Sequence, residues 1–224
     1  MDRILLVNPN SSAACTRGMA LAVAPLARLP GLPRIETMQL EGGPPAIVTW
    51  RDWYAVAEPL CRLAEREPAL AFIIGCVSDP GLEAVRTVTP RPVLGLFRCA
   101  VAAALARAER FGVIGFTHRS LPRQRRALSA MGAESNMAAW VPLELPMDAL
   151  TDPEAPRPRL AAAARRLAEA GAEAIVLGCT GLAGHAAFVA DTVGLPVIEP
   201  CQAAAAQALA AALGEMAAPP LVTA

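Results

Sequence analysis

The sequence predicts an α/β protein of two pseudo-symmetric lobes, each a mostly parallel sheet flanked by helices, with an active-site cleft between the lobes. Short, continuous apolar runs alternate along the chain with longer amphipathic ones, which is the pattern of parallel strands covered by helices on both faces. A Gly-Cys pair follows such an apolar run twice, at Cys76 and at Cys179. The 224 residues suffice for two lobes of about 100 residues each.

The first half of the chain contains three predicted strands. They are the apolar runs at residues 4–7, 71–74 and 92–95. The sequence Asn-Pro-Asn-Ser-Ser at residues 8–12 ends the first strand and supplies turn residues and a helix N-cap. Apolar side chains at helical spacing predict a helix over residues 50–67.

The second half repeats this alternation of strands and helices. Strands are predicted at residues 112–114, 174–177 and 196–198, and helices at residues 99–110, 160–170 and 202–213. The Pro-rich stretch 146–158 is predicted to be a loop or linker, and the tail 217–224 is predicted to fray.

The two halves also share a motif. Ile-Ile-Gly-Cys at residues 73–76 is matched by Val-Leu-Gly-Cys at residues 176–179, and a Pro-Val strand begins 16 positions after the first cysteine and 17 after the second. A duplicated unit predicts one lobe over residues 1–97 and a second over 98–201, with a C-terminal helix at about 202–216 packing back on the first lobe. The alternative is that common strand patterns coincide.

Composition excludes several classes of protein. The formal net charge is zero, so there is no electrostatic reason to bind nucleic acid or an anionic membrane. All 20 basic residues are arginine, and the absence of lysine excludes Schiff-base chemistry and the phosphate-binding lysine of P-loop enzymes. Two histidines, His118 and His185, are too few for most histidine-built metal sites. Kinases, P-loop ATPases and zinc hydrolases are therefore excluded, and we expect no metal.

The location of the protein is predicted from its apolar stretches and its first residues. Residues 174–190 and 200–214 lack charge but are too rich in Gly, Ala and polar side chains for a spanning helix. The start of the chain is too short in apolar residues for a signal peptide. These features predict a soluble, cytoplasmic protein.

The six cysteines fall into two groups. No two form a Cys-x-x-Cys pair, so redox and zinc-ribbon motifs lack support. Cys15, Cys61, Cys99 and Cys201 lie in helical patterns and are predicted to be small buried hydrophobic residues.

Cys76 and Cys179 are predicted to stand at the carboxyl ends of strands, where ligands bind in open parallel sheets. A helix N-terminus there would lower the pKa of a thiol. Two thiols facing each other across a cleft suit removal of a proton from one face of a carbon and its return to the other. A single cysteine would suit covalent catalysis or one-sided protonation, and a third alternative is that both thiols are buried structural residues.

Four motifs carry a resemblance to a known family. They are Asn-Pro-Asn-Ser-Ser at 8–12, Cys-Val-Ser-Asp-Pro-Gly-Leu at 76–82, Gly-Cys-Thr-Gly at 178–181 and Gly-Leu-Pro-Val-Ile at 194–198. With them the chain resembles the aspartate/glutamate/hydantoin racemase superfamily, and within it the hydantoin and allantoin racemase branch, over about residues 4–213. The resemblance implies cofactor-independent 1,1-proton transfer with Cys76 and Cys179 as the catalytic residues.

The resemblance also implies which loops hold the substrate. The predicted substrate-binding residues are Asn10, Val77, Ser78, Thr117, Thr180 and Gly181. Backbone amides after each cysteine are expected to stabilise the charge of an enolate. Alternatively, Asn10 caps the first helix, and Ser78 or Asp79 is only the N-cap of the helix that follows, a role favoured for Asp79. His118 and His185 are expected to be exposed helix residues.

The substrate is less well defined by the sequence. Leu-Phe-Arg at residues 96–98 departs from the small or acidic pair usual in the branch. Arg51 or Arg98 near the cleft would favour a carboxylate or ureido substrate, and Trp50 would stack on a ring; both arginines could equally be solvated.

We predict a racemase acting on 5-substituted hydantoins or allantoin, a small-molecule substrate, and a homo-oligomer. The alternatives are a maleate isomerase-like or arylmalonate decarboxylase-like enzyme, or a non-catalytic small-molecule binding protein.

Overall fold

The computed structural model describes residues 3–217, with the side chains of residues 3–214. It contains two four-stranded sheets in which every pair of neighbouring strands is parallel. The first sheet comprises β1 (Arg3–Asn8), β2 (Arg34–Gln39), β3 (Ala71–Ile74) and β4 (Val93–Gly95). The second comprises β5 (Phe111–Gly115), β6 (Met137–Pro142), β7 (Ala174–Gly178) and β8 (Val197–Ile198).

The two sheets have the same strand order. The first runs β2-β1-β3-β4, and the second runs β6-β5-β7-β8. Each strand of one sheet therefore has an equivalent in the other, with β1 matching β5 and β3 matching β7. This confirms the predicted α/β architecture of two lobes with parallel sheets.

Ten α-helices flank the sheets in the described part of the chain. They are α1 (Ala13–Ala27), α2 (Trp50–Ala55), α3 (Ala57–Arg66), α4 (Leu82–Val88), α5 (Leu96–Leu105), α6 (Leu121–Met131), α7 (Met147–Thr151), α8 (Arg157–Glu169), α9 (Ala186–Val193) and α10 (Pro200–Ala217). Short 3-10 helices lie at His118–Ser120, Glu134–Asn136 and Thr180–His185.

The core lies in three layers, and alternation along the strands shows why. In β1, Ile4 and Leu6 face a central cluster shared by both sheets, whereas Leu5 and Val7 face an outer cluster beneath α2, α3 and α4. A third cluster lies on the outer face of the second sheet, beneath α8 and α9. Since both faces of each sheet are covered at its centre, the strands β1, β3, β5 and β7 are continuous apolar runs.

The last helix belongs to the central layer. α10 packs against α5, α1 and β3, and its small side chains Ala204, Ala205 and Ala208 are fully buried. The predicted boundary between residues 97 and 98 lies within α5. The division of the chain into residues 1–97 and 98–201 stays a prediction.

Some predicted segments differ in detail from the structure. The helix predicted over 50–67 is two helices, because Pro59 in the first turn of α3 has no N–H for the carbonyl of Ala55. The predicted loop 146–158 contains α7 and the first turn of α8, where Pro158 is tolerated. The predicted frayed tail lies outside the described residues apart from Ala217. Within the described chain, no helix has the length and apolar character needed to span a bilayer.

Candidate active site

A small cavity lies where the carboxyl ends of β1, β3, β5 and β7 meet. Its volume of about 30 Å³ is room for roughly two water molecules. The lining residues come from both halves of the chain: Asn10, Ile47, Cys76, Val77, Ser78, Phe116, Ser120, Arg123, Gln124, Met147, Gly178, Cys179 and Thr180. Both predicted catalytic cysteines therefore line one cavity between the sheets.

The repeated Gly-Cys pair has a structural origin in both sheets. A Cβ on Gly75 would lie 2.7 Å from the carbonyl oxygen of Val7, and one on Gly178 would lie 2.6 Å from that of Ile114. Each glycine thus lets its strand end approach the neighbouring strand closely. The cysteine that follows each of these glycines lines the cavity.

Burial dominates the chemistry of the two thiols. The thiol of Cys76 lies 3.4 Å from the hydroxyl of Ser78, and burial raises its pKa against the lowering effects of Ser78 and Arg123. Burial also raises the pKa of Cys179 to about 12, although the backbone N–H of Gly181 donates to its sulfur. The charge of a Cys76 thiolate raises the Cys179 pKa further, so the two thiols are close enough to interact.

The expectation of lowered thiol pKa values is therefore wrong for this structure. α4 begins only at Leu82, so its N-terminus does not lie at Cys76. Cys179 is followed by the 3-10 helix Thr180–His185 rather than directly by an α-helix. In both cases desolvation outweighs the local hydrogen bonds.

Asn10 lies in the loop after β1, inside a hydrogen-bonded network. Its carboxamide oxygen accepts from the backbone N–H of Ser12 at 2.8 Å and from the side chain of Asn8 at 3.1 Å. The hydroxyl of Ser12 accepts from the N–H of Cys15 and is the N-cap of α1. The alternative that Asn10 caps this helix is therefore wrong, and Asn10 lines the cavity instead.

The other predicted binding residues are placed differently from one another. Val77, Ser78 and Thr180 line the cavity. Gly181 does not line the cavity. It lies near the Cys179 sulfur, since a Cβ on Gly181 would be 3.7 Å from the sulfur atom. Thr117 is outside the lining, and its hydroxyl is buried without a hydrogen-bond partner among the described residues. Substrate contacts of all these residues stay predictions.

Gln124 is a site residue that the sequence did not reveal. Its side-chain nitrogen donates to the carbonyl oxygens of Val77 at 2.7 Å and Gly178 at 3.1 Å. Its side-chain oxygen accepts from the indole N–H of Trp140 at 2.6 Å. One buried amide therefore ties together the backbone next to Cys76 and the backbone next to Cys179.

Arg123, also on α6, is the second residue that was missed. Only 2% of its surface is exposed, and it lines the cavity. The run Arg-Gln-Arg-Arg at residues 123–126 is so polar that it indicates a solvated helix face, which hides the burial of its first two members. Their place in the repeat could have revealed Arg123 and Gln124. α6 follows β5 in the second lobe as α1 follows β1 in the first, so a helix is expected there next to the site.

Arg51 and Arg98, which the sequence suggested as substrate-binding residues, lie outside the cavity. Arg98 pairs with Glu83 at 2.7 Å, and Arg51 is exposed; neither lines the cavity. Trp50 is 39% exposed and packs against the guanidinium of Arg123, with 5.8 Å between the Arg123 Cζ atom and the ring centroid. Phe97 is fully buried in the central core, so the unusual segment 96–98 does not form the wall of the cavity.

Asp79 has a structural role different from the predicted one. Its carboxylate accepts from the backbone N–H groups of Phe97 at 2.8 Å and Arg98 at 3.1 Å, so it caps α5. The helix that follows it, α4, has Gly81 at its N-cap and no side-chain cap. The predicted N-cap of the next helix is therefore wrong, because the left-handed backbone of Asp79, with φ of 51°, directs the chain into the Gly81 turn first.

The two histidines are not alike. His118 is exposed as expected and lies 2.9 Å from the carboxylate of Glu144. His185 is 5% exposed at the end of a 3-10 helix, so its predicted exposure is wrong; it packs in the interior beside α7 and α1. Within the described residues, no three His, Cys, Asp or Glu side chains are grouped so as to hold a metal ion.

The four remaining cysteines are buried, as predicted. Cys15, Cys61, Cys99 and Cys201 are all free thiols in the interior. Burial raises the pKa of Cys99 to about 12.

The chain is similar to known proteins over nearly its whole length. The model of the family described as Asp/Glu/Hydantoin racemase matches residues 4–208. A hydantoin racemase of Paenarthrobacter aurescens is 34% identical over 215 residues, which cover 90% of this chain and 87% of that one. A hydantoin racemase of Rhizobium meliloti is also 34% identical, over 90% of this chain and 85% of its own. The structure of an allantoin racemase from Klebsiella pneumoniae superposes with a TM-score of 0.84 at 31% identity, covering 96% of this chain and 89% of that one.

Proposed function

The chain belongs to the Asp/Glu/Hydantoin racemase family, and it is a racemase of this superfamily. From that premise we propose that Cys76 and Cys179 catalyse a cofactor-independent 1,1-proton transfer at a carbon next to a carbonyl. We propose 5-substituted hydantoins or allantoin as substrates, because the relatives named above are hydantoin and allantoin racemases.

One observation carries the mechanism. Two Gly-Cys turns, on equivalent strands of two sheets with the same topology, line a single cavity. Pseudo-symmetry of this kind supports a mechanism with one thiol on each side of a flat intermediate. The presence of both cysteines also disfavours the decarboxylase-like alternative, which resembles this chain less because it retains only the second cysteine.

The proposed step balances without any redox partner. The thiolate of one cysteine takes the proton from the stereogenic carbon, and the electron pair of the broken C–H bond moves onto the neighbouring carbonyl as an enolate. The thiol of the opposite cysteine then donates its proton to the other face of the same carbon. The centre is inverted, and the second cysteine is left as the thiolate.

The surrounding residues supply the electrostatics of that step. We propose that backbone N–H groups after each cysteine stabilise the charge that develops on the carbonyl oxygen, since Val77, Ser78 and Thr180 line the cavity. The buried position of the thiols makes each thiolate a stronger base than one in water, which suits removal of a proton from carbon. The positive charge of Arg123 offsets part of this effect at Cys76.

Proton exchange in D2O tests the proposal. Enantiopure 5-benzylhydantoin, 5-isopropylhydantoin and allantoin are followed by NMR and polarimetry, with enzyme-free controls because hydantoins racemise slowly unaided. We expect deuterium to enter at the stereocentre as rotation is lost. Cys76→Ser and Cys179→Ser should each abolish racemisation, with folding checked by circular dichroism. Racemisation that survives either substitution would contradict the two-thiol mechanism.

Two further expectations are also proposals. Six free thiols suit a reducing compartment, so we propose that the enzyme acts in the cytoplasm. A homo-oligomer stays a prediction; Ala204, Ala205 and Ala208 of α10 are buried within the chain, so these three do not supply the surface for it.

A further inference from the structure

Arg123 is a buried charge for which the described residues provide no ion-pair partner. Its side chain is 98% buried, and its Nε has no hydrogen-bond acceptor among the described residues. It is also the one charged side chain among the described residues that line the cavity. A buried charge left uncompensated carries a large desolvation cost, so such a group indicates that an anion completes it.

The groups around Arg123 do not provide that anion. Asp52 acts on it only through space, because the Asp52 carboxylate accepts from the backbone N–H groups of Thr49 at 2.7 Å and Val48 at 3.1 Å. Cys76 is the other group whose charge acts on Arg123, and burial keeps that thiol protonated. The remaining neighbour, the ring of Trp50, has its centroid 5.8 Å from the Arg123 Cζ atom and does not neutralise the charge.

The position of Arg123 indicates which part of a substrate it meets. In the proposed function the reacting carbon lies between Cys76 and Cys179. Arg123 lies near enough to Cys76 for their charges to interact, and its Cζ atom is 5.8 Å from the ring centroid of Trp50, which is 39% exposed. A substituent that projects from the reacting carbon towards solvent therefore passes the guanidinium.

We propose that Arg123 binds a carboxylate at the end of the 5-substituent, so that this racemase prefers hydantoins with acidic side chains to neutral ones. A planar guanidinium is suited to a carboxylate because it can donate two parallel hydrogen bonds. This inference rests on the proposed function and adds the substrate class to it.

A matched pair of substrates tests this specificity. 5-(Carboxymethyl)hydantoin and 5-(carbamoylmethyl)hydantoin have nearly the same shape and differ in charge. We expect the native enzyme to prefer the carboxylate in kcat/KM. Arg123→Gln should lower kcat/KM for the carboxylate by about 100-fold, mainly through KM, with a loss at least tenfold smaller for the amide. Arg123→Lys should restore part of the preference, since it keeps the charge and loses the two-pronged geometry.

Arg125→Gln is the control on the same helix. The Arg125 side chain is 57% exposed and lies 3.7 Å from Glu134, so its replacement should leave both substrates unaffected. Equal losses for the two substrates in Arg123→Gln would overturn the inference and assign Arg123 to the thiolate or the enolate. No loss with either substrate would also overturn it.

Binding separates the inference from the proposed function. Quenching of tryptophan fluorescence by each hydantoin measures affinity without turnover, because Trp50 contacts Arg123. A carboxylate preference that disappears in Arg123→Gln supports the inference even if no hydantoin is racemised. Racemisation of neutral hydantoins with no preference for the carboxylate would overturn the inference and leave the proposed function standing.

Discussion

Each proposed catalytic thiol is buried, and burial governs how readily it loses its proton. The pKa of Cys179 is raised to about 12 and that of Cys76 is raised as well. At neutral pH both are therefore mainly protonated, and the thiolate fraction increases as the pH rises. A racemase with these groups needs only one thiolate at a time, since the opposite cysteine must carry a proton.

Thiol alkylation measures this property directly. We expect iodoacetamide to modify Cys76 and Cys179 slowly at pH 7 and progressively faster towards pH 10, with Cys179 the slower of the two, as followed by peptide mass spectrometry. The exposed thiol of free cysteine under the same conditions is the control for the reagent. Fast modification of both cysteines at pH 7 would mean that the site stabilises thiolates, which contradicts the raised pKa of both thiols.

Among single residues, the cysteines were predictable and their partners were not. The Gly-Cys pairs are visible in the sequence because close strand approach requires glycine at both strand ends. Arg123 and Gln124 form part of a polar run, and no local pattern distinguishes its buried members from its exposed ones. Their burial follows from how α6 packs against the other lobe, which is a tertiary property.

At the level of elements, α5 depends on a side chain far from it in sequence. The Asp79 carboxylate accepts hydrogen bonds from two backbone N–H groups in the first turn of α5. Gly95 leaves room for that carboxylate, since a Cβ on Gly95 would clash with the Asp79 Cγ atom. The turn that carries Cys76 is thereby tied to the start of α5.

Replacing Asp79 should destabilise this helix start. We expect Asp79→Ala to lower the free energy of unfolding by about 2–3 kcal/mol, because it removes both acceptors and places Ala at φ of 51°. Asp79→Gly should lose less, since glycine tolerates that backbone, and Asp79→Asn should lose least, since it keeps an acceptor. Urea unfolding of the three variants provides the comparison; equal losses would show that the cap contributes nothing.

Elements were predicted best where both faces of a strand are buried. β1, β3, β5 and β7 are continuous apolar runs and were found within about one residue of their ends. The edge strands β2 and β6 were missed, because they are partly exposed and carry polar residues such as Glu36 and small ones such as Ala138. The sequence does not predict α6, because the polar run at residues 123–126 hides its buried face.

For the whole molecule, Gln124 is the residue that couples the two halves of the site. It contacts the backbone beside both cysteines and the side chain of Trp140. The distance between the two thiols therefore depends on a side chain that need not touch the substrate's reacting atoms. We regard it as a positioning residue.

Gln124→Leu should affect both stability and catalysis. We expect the free energy of unfolding to fall by about 3 kcal/mol, because two carbonyls and an indole N–H lose their buried partner. The effect on kcat should exceed the effect on KM, since the thiols lose their relative position. Urea unfolding and steady-state kinetics measure the two effects.

Gln207→Leu is the control for a half-buried glutamine outside the site. Gln207 lies on α10 and donates to the carbonyl of Cys99 at 2.9 Å, so its replacement should cost some stability and leave kcat unchanged. If Gln124→Leu were to change stability alone, as Gln207→Leu is expected to, a positioning role for Gln124 would be ruled out.

The charge of Arg123 acts on Cys76, which makes the two halves of the cavity unequal. For the proposed reaction this inequality meets a thermodynamic constraint, because two mirror-image substrates have the same free energy in solution and their equilibrium ratio is one. The kcat/KM values of the two enantiomers must then be equal, whatever the surroundings of each thiol. The arginine can bind one enantiomer more tightly only if that enantiomer also turns over more slowly in the same proportion. A site built by duplication is thus free to lose its symmetry in binding, while the balance between its forward and reverse directions stays fixed.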